Sequence, residues 1–183
     1  MYLIICTIRK ESFVGLLNEN ETSVFNKWFS QNNQSEELLS KINILLKSSK
    51  TDIKNIKGII VINGPGSYTG IRVGVVTANT LSFSLNVPVV GINILEICAY
   101  YYFSLNNNKS IIVATSSIHD KYYFALYERN GKKITMKNIG NKSPEEIIKT
   151  GTARLIFENV GLSILVHPLK VIFKHRQVCI LVI

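Results

Sequence analysis

The stretch from Gly58 to Leu85 constrains the fold more than any other part of this 183-residue chain. It opens with Gly58-Ile59-Ile60-Val61-Ile62-Asn63, a short continuous apolar run of the kind that forms a strand covered on both faces. Gly64-Pro65-Gly66-Ser67-Tyr68-Thr69-Gly70 follows as a turn, and a helix is expected from there to about Leu85. Between Thr69 and Leu85 the only charged side chain is Arg72. A surface helix of that length normally carries a charged face. This one carries Thr77, Asn79, Thr80, Ser82 and Ser84 instead. Gly70, Gly74 and Ala78 recur at every fourth position, a small-residue stripe that lets another helix approach closely. Val73, Thr77, Thr80 and Ser84 form a second uncharged stripe. A helix without a solvated face is covered on both sides. The chain's own sheet accounts for one side; the other is either a seat for a partner or an internal contact.

The turn itself has two readings. Glycines permit close approach, and a helix start presents free N–H groups, so Gly64, Gly66, Ser67 and Gly70 can face a phosphate. They can equally form a tight strand-to-helix corner with Ser67 or Thr69 as the N-cap. The spacing is neither that of a P-loop nor G-x-G-x-x-G, and no lysine lies between Gly58 and Lys109.

Around this unit the pattern alternates. Tyr2–Ile8, Ser12–Leu17 and Thr22–Phe29 read as a three-stranded meander, with a turn at Asn18-Glu19-Asn20. A helix is expected from Asn33, with Asn33 and Glu36 as a capping box and Leu38, Leu39, Ile42, Leu45 and Leu46 facing the core. Ile44 lies off that stripe. Pro88–Ile92 is a strand and Asn93–Phe103 a helix, and Asn106-Asn107-Asn108 is the boundary of a new unit. There Ser110–Thr115 and Lys121–Glu128 are strands, with a hairpin signal at Asn130-Gly131. Ser143-Pro144-Glu145-Glu146 opens a helix, and Ala153–Glu158 is a strand. No internal repeat is visible in the residues. The division expected is residues 1–106 and 107–183.

Composition narrows the chemistry. The only aspartates are Asp52 and Asp120, too few for a magnesium site built on several Asp ligands. Cys6, Cys98 and Cys179 are odd in number and far apart, as small hydrophobes in a reducing compartment are. His119, His167 and His175 have no metal-ligand spacing, so no metal is expected. The net charge of +9 invites a nucleic-acid reading, yet 16 of the 21 basic residues are lysines scattered along the chain. Together with 26 Ile and 18 Asn they match the drift of an AT-rich genome. No membrane-spanning run and no secretion signal are seen, so a cytoplasmic location is expected.

The order Gly64-Pro65-Gly66-Ser67-Tyr68-Thr69-Gly70-Ile71-Arg72-Val73-Gly74, then Ala78, Pro88-Val89-Val90-Gly91 and Leu95-Glu96, resembles the bacterial TsaB family, also called YeaZ. Ser35-Glu36 with Leu38-Leu39 is similar to that family's first helix, and Ile111 to Tyr127 to its second-half strand pair. The resemblance covers about residues 1 to 130 and fades after 150. It implies an α/β, actin-like ATPase (ribonuclease H-like) fold of two related halves, with the second incomplete in this shorter chain. The function implied is that of a non-catalytic scaffold for the machinery that adds threonylcarbamoyl to N6 of adenosine 37 in tRNAs. The scaffold pairs with a TsaD-type catalytic subunit, joined by a TsaE-type ATPase, and meets tRNA only indirectly. The partner surface implied is the helix after the loop and the helix before it. Ile44, Thr69, Arg72, Val73, Val76, Thr77 and Thr80 are then the candidate partner-binding residues, and the uncharged helix 69–85 also suits a homodimer.

The chain departs from the family pattern at Cys6-Thr7, where the first strand normally ends in Asp-Thr, and at Ser116-Ser117-Ile118, where Asp-Ala-Arg is usual. Gln34 replaces the histidine of the first-helix motif. A thiol does not replace a hard oxygen ligand for magnesium. The expectation is therefore no cofactor of its own, with ATP or ADP present only in complex with partners. The alternatives are an independent ATPase or phosphotransferase of the same superfamily, or a decayed copy, the latter suggested by a C-terminus that diverges after about 160.

Overall fold

A computed structural model describes residues 1–18, 23–31, 33–117, 119–149 and 154–157. The chain divides into two compact units after Asn93. The asparagine run 106–108 lies inside the second unit rather than at its border.

The first unit is a five-stranded mixed sheet in the order β3-β2-β1-β4-β5. β1 (Tyr2–Cys6), β2 (Glu11–Leu17) and β3 (Ser23–Phe29) form the antiparallel meander. β4 (Gly58–Ile62) and β5 (Val89–Ile92) run parallel to β1. A parallel neighbour needs a crossover. α1 (Gln34–Ser48) supplies it between β3 and β4, and α2 (Tyr68–Leu85) between β4 and β5. Alternation sends Leu3, Ile5, Val14, Leu16, Ile59 and Val61 to the face on which both helices lie, where they meet Leu38, Ile42, Leu45 and Ala78. Every residue of β4 is buried, as its unbroken apolar run predicts.

The start of α1 differs from expectation. The Asn33 side chain does not bond Glu36; its Oδ1 accepts from Ser30 Oγ at 2.9 Å and Gln31 N at 3.1 Å. The side chain ties down the turn that precedes the helix, so the capping box is not formed. Leu39 was expected in the core stripe and is 58% exposed instead.

The second unit begins with α3 (Ile94–Leu105), which packs on β6 (Ser110–Ser116) and β7 (Tyr122–Asn130). β8 (Lys133–Lys142) and β9 (Arg154–Phe157) complete a sheet in the order β8-β7-β6-β9. One of its apolar clusters is Ile112, Ala114, Phe124 and Ile147, the last from α4 (Pro144–Ile148), whose Ser143–Glu146 capping box forms as expected; Ile111, Val113, Ala125 and Tyr127 are buried as well. β6, β7 and β8 are an antiparallel meander, and β9 returns parallel to β6. That is the path of β1 to β4 repeated. The two halves are related in topology although no repeat shows in the residues. The expected turn at 18–20, Ile118 and the divergent tail from 160 fall largely or wholly outside the described residues.

Candidate partner-docking site

The glycine-rich turn is fastened to the end of β1. Ser67 N donates to Ile8 O at 2.8 Å, and the buried Thr7 hydroxyl donates to Gly70 O at 2.6 Å. Ser67 is the N-cap, its Oγ accepting from Gly70 N at 3.3 Å. A Cβ at Gly66 would strike the Ile8 carbonyl and one at Gly70 the Thr7 carbonyl, so these glycines allow the helix start to lie on the strand. Gly64, at φ +119°, turns the chain into the loop. Of the four loop residues, Gly64 and Gly70 are buried while Gly66 and Ser67 are exposed. The local geometry is that of a strand-to-helix corner. Beside it, burial pushes the Cys6 thiol up to about 12, so it stays protonated. Among the described residues no group of three or more His, Cys, Asp and Glu side chains could hold a metal ion.

Gly70, Gly74 and Ala78 are the buried residues of α2. Beta carbons built on Gly70 and Gly74 would meet Thr7, Ile5 and Val61, so this small-residue stripe faces the chain's own sheet. It does not seat another helix, as its spacing suggested. The opposite side is open: Tyr68 is 74% exposed, Val76 62% and Phe83 89%. Thr69, Arg72 and Thr80 are exposed with them, while Val73 and Thr77 are half-buried. Among the described residues nothing covers this side, so α2 is not an internal helix there.

Five of the expected partner-binding residues come together. Thr69, Arg72, Val73, Val76 and Thr77 line a groove of about 350 Å³, closed on its other side by Ser35 at the start of α1. Arg72 lies over the Tyr68 ring at 5.5 Å and makes no ion pair among the described residues. Thr80 continues the exposed face without lining the groove. Ile44 is not brought to it. At about 100° per residue, Ile44 points to the side of α1 opposite Ser35 and Leu39. A second cavity of about 520 Å³ continues along the same two helices, with Leu39, Ile42, Leu46, Ile53 and Leu81 among its lining and Lys47 and Lys50 beside them. Sequence reasoning missed Ser35, Leu39, Tyr68 and Phe83. Phe83 was detectable, standing seven residues after Val76 on the line that also holds Thr69.

A family model described as TsaD, tRNA N6-adenosine threonylcarbamoyltransferase, matches residues 29–160. The chain belongs to this family. Its relatives put it in the TsaB/YeaZ group. The tRNA threonylcarbamoyladenosine biosynthesis protein TsaB of Buchnera aphidicola subsp. Acyrthosiphon pisum is 33% identical over 97 residues, 53% of this chain and 44% of that protein. The TsaB of Escherichia coli is 26% identical over 96 residues, 52% of this chain and 42% of that protein. The solved YeaZ from Pseudomonas aeruginosa superposes with a TM-score of 0.66 at 21% identity, covering 79% of this chain and 67% of that one. The TsaB/YeaZ member thus has the actin-like ATPase-type fold, and it spans about half the length of the curated relatives it matches. Among the described residues no helix is long and apolar enough to cross a membrane.

Proposed function

We propose that this TsaB/YeaZ member is a non-catalytic scaffold in tRNA threonylcarbamoyladenosine biosynthesis, acting in the cytoplasm, and that it seats a TsaD-type catalytic subunit on α2. The observation that carries the reading is the outward face of α2: one charge in an 18-residue helix, with Val76 and Phe83 exposed and a groove in which Arg72 is the only charged side chain. Such a face is costly to leave in water and is what the centre of a protein interface consists of. The names of the TsaB relatives support the pathway, and a transferase of Geotalea daltonii that is 43% identical over 51 residues supports kinship with the catalytic subunit. The corner geometry of the loop supports a non-catalytic role. The Ser67 N–H and the Thr7 hydroxyl are bonded within the chain, and Cys6 presents a protonated thiol at the strand end. A TsaE-type ATPase joins the pair, and nucleotide is held only in the assembled complex.

Co-expression with the TsaD-type subunit of the same organism, read by affinity capture and sizing, tests the reading. A complex of discrete mass is expected. Val76→Glu should remove it while leaving the thermal transition near that of the wild type, because desolvating a carboxylate at an interface costs several kcal/mol that pairing with Arg72, one turn before, repays only in part. Val73 is the poorer probe, since it also packs against the chain's own core. A folded chain that ignores the subunit overturns the proposal. A complex indifferent to Val76→Glu overturns the face, and a chain that pairs only with itself makes the face a homodimer interface.

A further inference from the structure

The lysines of this chain are less scattered in space than in sequence. The β7–β8 hairpin with its flanks, residues 121–142, holds Lys121, Arg129, Lys132, Lys133, Lys137 and Lys142 against one acid, Glu128. Three of these cations serve the sheet itself. Lys137 pairs with Glu128 at 3.4 Å, Lys142 lies over the Phe124 ring at 5.7 Å, and Arg129 donates to Phe103 O at 2.8 Å while stacking on the Phe103 ring. Lysines along an exposed edge strand also guard it against pairing with another chain, which accounts for Lys137 and Lys142.

The tip of the hairpin is different. Arg129 N donates to Lys109 O at 2.8 Å, which sets Lys109 beside the hairpin, and Asn130 pairs with Lys133 across the turn. Lys109 leads into β6 and Lys133 opens β8, the two strands flanking β7. Two strand spacings put their backbones roughly 10 Å apart. Lys109, Lys132 and Lys133 are exposed, and their ammonium groups have no partner among the described residues. The loop beneath them is braced. Asn106 Nδ2 donates to Tyr102 O at 3.0 Å, the Tyr102 hydroxyl to Asn108 Oδ1 at 3.1 Å, and Arg129 reaches Asn107 Oδ1 at 3.5 Å. Apart from Leu105 at the end of α3, this tip offers lysines, amides and glycine. A protein interface is depleted of lysine at its core and centred on apolar groups. A surface that holds phosphodiesters needs only cations and amide donors on a fixed frame.

We infer that the tip formed by Lys109, Lys132 and Lys133 binds the phosphodiester backbone of RNA. The inference rests on the reading above, in which the chain serves tRNA modification, and gives the chain a direct contact with that substrate where sequence reasoning left only an indirect one. The contact is to backbone and carries no base specificity. Its test is the affinity of the full chain, alone and with the TsaD-type subunit, for a tRNA carrying adenosine at position 37, measured by fluorescence anisotropy at several salt concentrations. The triple change Lys109→Gln, Lys132→Gln, Lys133→Gln should weaken binding roughly tenfold or more at low salt. It should also flatten the log–log salt dependence by about two units, as expected from three lost phosphate contacts. A control triple, Lys10→Gln, Lys27→Gln, Lys54→Gln, removes the same charge elsewhere and should leave both quantities near the wild-type values. Equal losses in the two triples would reduce the effect to net charge and overturn the site, as would unchanged binding in the tip variant. Competition by polyglutamate as strong as by RNA would overturn it in favour of an acidic protein partner. Capture of the TsaD-type subunit is scored on the same samples. A complex that forms while the tip variant binds tRNA normally ends this inference and leaves the scaffold standing; a failure of capture ends the scaffold reading itself.

Discussion

Thr7 shows how little separates a phosphate loop from a corner at the scale of single residues. Its hydroxyl is buried and spent on the Gly70 carbonyl, and the backbone of Thr7 leaves no room for a side chain at Gly70. Gly70→Ala should therefore cost about 1–3 kcal/mol by overpacking. Thr7→Val removes one hydrogen bond and should cost about 1 kcal/mol. Urea unfolding of the two variants checks the order. Cys6 carries a pH prediction. Its thiol lies at about 12 in the fold against an ordinary 9.0, raised by burial. Below pH 9 both states hold the proton and the full stability is present. Above it the unfolded chain releases the proton while the fold retains it, so stability falls with rising pH by about 1.4 kcal/mol per unit until about 12. Cys6→Ala lacks this term, so the stability gap between wild type and variant should narrow by about 1 kcal/mol from pH 9 to 10 in denaturant titrations. The local chemistry of this corner was legible in part. Ser67 as N-cap followed from residue type, whereas the partner of Thr7 sits 63 positions away and left no mark on its neighbours.

Elements were legible where one period dominates. α1, α2, β4 and the Ser143 capping box follow from spacing alone, because burial of a stripe and satisfaction of end groups are local demands. The same rule could not decide between Leu38 and Leu39, adjacent in sequence, about 100° apart on the helix and both apolar. The structure puts Leu38 fully inside and leaves Leu39 58% exposed beside Leu81 in the α1–α2 cavity. Leu38→Ala should cost about 2–5 kcal/mol and Leu39→Ala under about 0.5 kcal/mol in thermal or chemical unfolding. Leu39→Ala should nevertheless weaken capture of the TsaD-type subunit if the docking seam extends that far along α1. α2 was misread in one respect. Its glycine stripe reads as a seat for another helix and its second stripe only as uncharged, since periodicity reports that a face lacks charge but not what covers it. The tertiary structure assigns the glycines to β1 and β4 and leaves Val76 and Phe83 outward.

At the scale of the whole molecule the two units repeat one path with unequal cores. Among the described residues the first unit buries twenty-one apolar side chains and the second fourteen. Amide exchange should be slow in the buried strands β1, β4 and β6 and faster through the largely exposed edge strand β8, read by mass spectrometry on the intact chain. The sequence by itself determined the order of strands and helices, the corner after β4, the dryness of α2 and the poverty in metal ligands. Each of these is a property of residue type and short-range spacing. Only the tertiary structure decided that the second half retraces the first, that Ile44 stands apart from the groove while Ser35 closes it, and that Lys109 joins Lys132 and Lys133 at one hairpin tip. Sheet order, helix facing and the clustering of charge depend on contacts between residues dozens of positions apart, and the energy of such contacts is set by packing that no local window contains.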